Sequence, residues 1–185
     1  DDMVAGAEPS PAVLSLVYVL SACAKAKEAD VAMEYFERGL KAGIDYDIST
    51  IDALLKSCAK SGRAVDALEV FMDATAHGIK VRESTITLLL SAYQDIAAQP
   101  GQLDQALTIV DMGLFLNVEP TDRMVKALLR LCVAGDDLDR GREELRKACE
   151  RGVRVTCSAL SILAEPYAAR GDIDGALDVI RSGKG

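Results

Sequence analysis

KSCAK, residues 56–60, nearly repeats SACAK, residues 21–25, and sets Cys58 35 residues after Cys23. Tyr93, Cys132 and Tyr167 continue the series at intervals of 35, 39 and 35. A second series runs through Ala32, Ala67, Ala106, Gly141 and Ala176 at intervals of 35, 39, 35 and 35. A third runs through Gly43, Gly78, Asn117 and Gly152, each followed by Ile or Val. All three series admit the same four extra residues in one unit, which marks an internal repeat with a single insertion.

Each unit reads as two helices. Ile51, Leu54, Leu55 and Cys58 recur at the spacing of one helical face, and after a break at Ser61 and Gly62 the residues Val65, Leu68, Phe71 and Met72 do the same. Small residues such as Ala67 let paired helices approach closely. Glycines at the third series suit the left-handed residue that ends a helix, and Asn117 is the next-best substitute. One such hairpin cannot bury its apolar face, so neighbours must stack. The expected fold is therefore all-α: a right-handed solenoid of helix-turn-helix hairpins, about 35 residues per unit. Its units are expected at residues 13–47, 48–82, 83–121 with the four-residue insertion, 122–156, and an incomplete fifth at 157–185. Residues 1–12 form an N-terminal segment, with Pro11 where an earlier unit would end.

Composition narrows the function classes. Hydrophobic residues make up 50% of the 185 residues and aromatics 4%, so the core must be built from Ala, Leu, Val and Ile. No apolar run is long enough to span a bilayer, and DDMVAGAEPSP lacks the pattern of a signal peptide. Five cysteines without a C-x-x-C pair read as free thiols in a reducing compartment, with Cys23, Cys58 and Cys132 as core residues. No cofactor or metal is expected: GDDLDRG (135–141) and GDIDG (171–175) read as hairpin turns with Asp near a helix start, not as calcium loops. His77, the single histidine, stands at a helix end. RSGKG lacks the upstream Gly and closing Ser or Thr of a phosphate loop. No nucleophile, acid or base converges with another, so neither an enzyme nor a small-molecule substrate is expected.

The repeat resembles the pentatricopeptide repeat. ISTIDALLKSCAKSGRAVDALEVFMDATAHGIKVR (48–82) carries LLKSCAKSG, the DAL of Asp66–Leu68, Phe71 and the GIK of Gly78–Lys80 at the family's positions. Pro120 also falls where the family often has proline. The tetratricopeptide repeat is the nearest competitor, but its unit is one residue shorter and usually lacks the Gly-Ile ending. The resemblance implies single-stranded RNA binding in a mitochondrion or plastid, one base per unit, through a residue early in the first helix and the last residue of the unit. Those paired places hold Val17 with Asp47, Asp52 with Arg82, Thr87 with Thr121, and Lys126 with Thr156; Ser161 has no partner. None is the small polar residue with Asp or Asn that the family favours. The places that pack against bases hold Leu14, Ser49, Ser84, Arg123 and Ser158.

Charge also bears on partners. The net charge of −8 opposes a general attraction to phosphate. Residues 83–121 contain five acids (Glu83, Asp95, Asp104, Asp111 and Glu119) and no Lys or Arg. Residues 122–156 carry nine basic residues, among them Arg123, Lys126 and Arg130 on one helix face, a candidate grip for RNA or another anion. In LFLN, Leu114, Phe115 and Leu116 stand where neighbouring units carry polar residues, a candidate protein-contact patch. The unmatched selectors and the acidic third unit lead to the expectation of a non-catalytic adaptor that binds protein partners in a larger organellar assembly. The alternative is a single-stranded RNA-binding pentatricopeptide protein acting in organellar RNA processing, stability or translation.

Overall fold

The computed structural model describes residues 10–183, and among them the chain is helical throughout. The helices are α1 (Pro11–Ala26), α2 (Ala29–Lys41), α3 (Ile48–Lys60), α4 (Ala64–Ala76), α5 (Glu83–Ala92), α6 (Gln102–Phe115), α7 (Asp122–Ala134), α8 (Leu138–Glu150), α9 (Cys157–Ala169) and α10 (Ile173–Ser182). They form an all-α helical-repeat solenoid of five stacked hairpins. Residues 1–9, most of the expected N-terminal segment, lie outside the described residues. Pro11 is the first residue of α1 itself, where its fixed φ favours a helix start, and the Ser10 hydroxyl accepts the Val13 N–H at 3.3 Å.

Caps set these boundaries. Asp47 accepts from the Ser49 and Thr50 N–H groups, Thr121 from Met124, Asp137 from Arg140 and Asp172 from Gly175. The two aspartate-rich turns are thus helix starts. At the other end, Asn117 takes a φ of 59°, and the Val118 N–H reaches back to the Gly113 carbonyl at 2.9 Å. That hydrogen bond ends α6 as Gly78 ends α4.

The odd-numbered helices pack in unbroken series, α1 on α3 on α5 on α7 on α9. Among the even-numbered ones, the described backbones of α8 and α10 approach each other closely, while α6 and α8 meet through the Asp104–Arg140 ion pair. The closely packed row lies on the shorter arc of the solenoid, so the odd helices line its concave side. Paired leucines build this seam: Leu54 with Leu55, Leu89 with Leu90 and Leu128 with Leu129, all nearly or fully buried. Ala32, Ala67 and Ala106 are fully buried where the even helices meet it. At Gly141 a Cβ would stand 2.8 Å from Leu163 Cδ1, which accounts for glycine in this otherwise alanine series.

The first stripe of the second unit lies in the core, with Ile51, Leu54, Leu55 and Cys58 all buried. The second stripe needs correction. Val65 and Met72 are exposed, and α4 buries Ala64, Ala67, Val70, Phe71 and Ala74 instead, because its close approach to α3 is made by the alanine face. Burial, reinforced by Asp66, pushes the Cys58 thiol up to about 11; burial, reinforced by Glu144 and Asp137, pushes Cys132 up to about 12. Both remain protonated thiols at neutral pH.

Helix α7 joins two apolar clusters. Its Met124, Ala127, Leu128 and Leu131 belong to the cluster reaching back to α1, while Val125 and Leu129 belong to the one extending to α10. Leu129→Ala should therefore cost about 2–5 kcal/mol, read as a lower urea midpoint with native helicity kept in the absence of denaturant. An unchanged midpoint would contradict this packing.

Candidate nucleic-acid interface

The concave layer brings the N-terminal ends of α3, α5, α7 and α9 into one row, and a carboxylate bridges each junction. The Asp52 carboxylate, on α3, accepts from Arg82 Nη2 at 2.8 Å, Ser84 Oγ at 3.1 Å and Thr85 Oγ1 at 2.7 Å, all around the start of α5. Glu83 Oε1, on α5, accepts from Thr87 at 2.7 Å and from Thr121, just before α7, at 3.0 Å. Asp122, on α7, pairs with Lys126 Nζ at 2.6 Å and accepts from the Thr156 N–H at 2.8 Å, just before α9.

Three expected selector pairs are thereby assembled. Asp52 and Arg82 bond to each other, Thr87 and Thr121 share Glu83, and Lys126 and Thr156 share Asp122. The first pair is not joined in this way: Val17 is half-buried on α1, while Asp47 caps α3. Ser161 is exposed and donates to the Cys157 carbonyl. Of the places expected to pack against bases, Leu14, Ser49, Arg123 and Ser158 are exposed and Ser84 is half-buried.

Glu83 and Asp122 did not stand out in the sequence as parts of this row. The available signal was an acid opening the helix after a unit that ends in Thr or Arg: Arg82-Glu83, Thr121-Asp122.

Burial disfavours the charged form of Asp122, but the Lys126 ammonium and the Thr156 N–H and hydroxyl outweigh it. Together they hold the carboxyl below its ordinary value.

The basic stripe also lies on this layer. Arg123, Lys126 and Arg130 line a groove between α5 and α7 that Thr87 and Gln94 border from the other side. The acids of residues 83–121 are dispersed. Asp104 and Asp111 are on α6, Asp104 pairing with Arg140 of α8 at 2.6 Å; Glu83 is bonded to two threonines; Asp95 and Glu119 lie in connecting segments. The patch at residues 114–116 divides where α6 ends: Leu114 packs against the core, whereas Phe115 is 86% exposed and Leu116 40%.

Two family models match the sequence. "Pentacotripeptide-repeat region of PRORP" covers residues 45–182, and "PPR repeat" covers 17–44. The chain belongs to the pentatricopeptide-repeat family. This pentatricopeptide-repeat chain is similar in fold to the maize pentatricopeptide repeat protein PPR10, with a TM-score of 0.74 and 18% identity over 97% of the chain. It spans 25% of the length of that protein. It resembles PPR10 in complex with an 18-nt psaJ RNA element at a TM-score of 0.75 and 15% identity, over 97% of this chain and 26% of that one. It also resembles the PPR domain of Arabidopsis thaliana protein-only RNase P 1 in complex with tRNA, at a TM-score of 0.72 and 15% identity over 94% of this chain and 89% of that domain. No curated protein matches the sequence.

These relatives overturn the expectation of an adaptor for protein partners, since PPR10 carries an RNA element and the PPR domain of RNase P 1 carries tRNA. Two of the observations that pointed to a protein partner also weaken in three dimensions. Of the five acids in residues 83–121, Asp104 and Asp111 sit on α6 and only Glu83 is one of the junction carboxylates, and the apolar run at 114–116 gives up Leu114 to the core.

The folded-state pKa of Asp122 lies below the unfolded one, so its contribution to stability is complete above about pH 4. It is lost as pH falls through the folded value. Asp122→Asn should lower stability by roughly 1–2 kcal/mol at pH 7, with the difference from the wild type shrinking in acid. Urea midpoints at pH 7 and pH 3 check this; a difference independent of pH would contradict it.

Proposed function

We propose that this pentatricopeptide-repeat chain binds single-stranded RNA along the row of odd-numbered helices. The observation that carries the reading is the assembly of three selector pairs across three successive junctions, on the concave layer, each pair joined directly or through one carboxylate. Family membership and the RNA and tRNA complexes of its structural relatives support the same reading. One hydrogen-bonding group or pair per unit, spaced by the helix repeat, is the arrangement by which a helical-repeat protein addresses successive nucleotides.

The chain acts here as a binding module, and the described residues hold no group of His, Cys, Asp and Glu able to take a metal ion. We assign it no catalytic step. The unit limits 13–47, 48–82, 83–121, 122–156 and 157–185 follow the starts of α3, α5, α7 and α9 and are the partition we propose. A mitochondrion or plastid is the location we propose, on family membership. No described helix is long and apolar enough to cross a membrane.

Internal occupation of the selectors shapes the expected specificity. Hydroxyls that already donate to Glu83 or Asp122 are left as acceptors, so discrimination between bases should be shallow. Fluorescence anisotropy with a labelled random pool of single-stranded RNA 12-mers, the same RNA as duplex, and single-stranded DNA tests the reading. The expected order places single-stranded RNA tightest, with poly(A), poly(U) and poly(C) competitors differing by less than about tenfold. Equal affinity for duplex and single strand, or no binding at near-physiological salt, would overturn it.

A further inference from the structure

The hairpin of α1 and α2 carries an open, mainly apolar groove of about 360 Å³, whose walls include Leu16, Val19, Tyr35, Gly39, Ala42 and Ile44. Three repeats on, the same register places in the α7–α8 hairpin hold Val125 for Leu16, Leu128 for Val19, Glu144 for Tyr35, Ala148 for Gly39 and Arg151 for Ala42. These residues line a groove too. Only about 20 Å³ of it is left, because Val110 and Leu114 of α6, with Pro120, fill it from the preceding unit. Pro11 already stands in the place of Pro120, so the open groove lacks only the aliphatic side chains that a neighbouring helix supplies.

The surface of α1 shows the same deficit. Ser15, Tyr18 and Ala22 are exposed, whereas their equivalents on α7, Met124, Ala127 and Leu131, are buried with the preceding units. At the other end of the array, α10 exposes Ile173, Leu177 and Ile180 along one face. Two repeats earlier, Leu103, Leu107 and Val110 hold those places on α6 and pack into the apolar cluster. A terminal unit that faces water carries a polar outer face. The first and last hairpins described instead present the two halves of an inner junction.

We propose that a second copy of this chain occupies the groove: α10 of one chain sets Leu177 and Ile180 against α1 and α2 of the next, as α6 sets Leu107 and Val110 against α7 and α8. Register identifies the occupant. One chain carries both the groove and, at matching places of the same repeat, the side chains that fill its inner counterpart, so the contact continues an interface already built within the chain. The two surfaces differ, which makes the contact heterologous, and a heterologous contact that does not close propagates from copy to copy. It would carry the concave row of odd helices from one chain into the next.

Sedimentation equilibrium of the full chain over a concentration series, without RNA, tests this independently of the RNA reading. The variants are Ser15→Arg, which puts a charge beside the groove at the place of Met124, and Ile180→Arg, which does the same on α10. Phe115→Ser removes an exposed ring away from both ends and serves as the control. The wild type and Phe115→Ser should both rise in weight-average mass with concentration, past the mass of a dimer. Ser15→Arg and Ile180→Arg should each stay at monomer mass. Their equimolar mixture should reach dimer mass and stop there, because one variant keeps a sound α10 and the other a sound groove; that recovery also shows that both are folded.

A wild type that stays monomeric at every concentration would leave the groove to another occupant and overturn the proposal. So would a dimer that saturates and is lost with only one of the two arginine substitutions, which is the behaviour of one face pairing with itself. Association that disappears with Phe115→Ser would trace it to the exposed ring and overturn the proposal as well. A mixture that remains monomeric, with native circular dichroism for both variants, would do the same.

Discussion

Every other feature of this protein rests on the apolar seam between successive odd-numbered helices. Leu54 with Leu55, Leu89 with Leu90, and Leu128 with Leu129 recur at the interval of the repeat and are nearly or fully buried. Each full leucine burial stabilises by roughly 1.5–3 kcal/mol, enough to lock neighbouring units without a central hydrophobic nucleus. Because the even helices scarcely touch one another, the stack curves toward the seam, and curvature converts a line of helix starts into a concave surface. Helix α7 is the member that both apolar clusters share, so the second half of the array is built onto the first through it.

The polar row lies over this seam. Asp52, Glu83 and Asp122 each reach from one odd helix to the residues that begin the next, and each is half-buried. At Asp122 the Lys126 ammonium and the Thr156 hydroxyl and N–H outweigh burial and favour the ionised form. The same groups that stiffen the junction therefore set which donors and acceptors remain for a ligand. Electrostatics along the chain is local in consequence. A net charge of −8 describes the whole surface, while α7 presents Arg123 and Arg130 unpaired among the described residues, beside a preformed groove.

Much of the fold was legible in the sequence because the repeat writes it several times. The Cys, Ala and Gly series located the hairpins and the turns, and Asn117 could be read as a left-handed stop from its place among glycines. The α4 stripe departs from the sequence pattern at Val65 and Met72 because alanines, which carry little hydrophobic weight, make its packing face. Leu114, Phe115 and Leu116 looked contiguous because they are adjacent in sequence, but a helix sends adjacent residues in different directions, and α6 ends among them. The junction carboxylates were out of reach for another reason. Thr121 lies 38 residues after Glu83, and Thr156 lies 34 after Asp122. Only stacking of the units brings them together.

Photo-crosslinking tests the central claim, that RNA lies on the concave row of odd helices, most directly. A single-stranded RNA pool containing 4-thiouridine would be bound to the full chain, irradiated, and the crosslinked peptides mapped by mass spectrometry. Crosslinks concentrated at the starts of α3, α5, α7 and α9 and along the facing sides of α5 and α7 are the predicted result. Crosslinks confined to α2, α4, α6 and α8, or centred on Phe115, would contradict it.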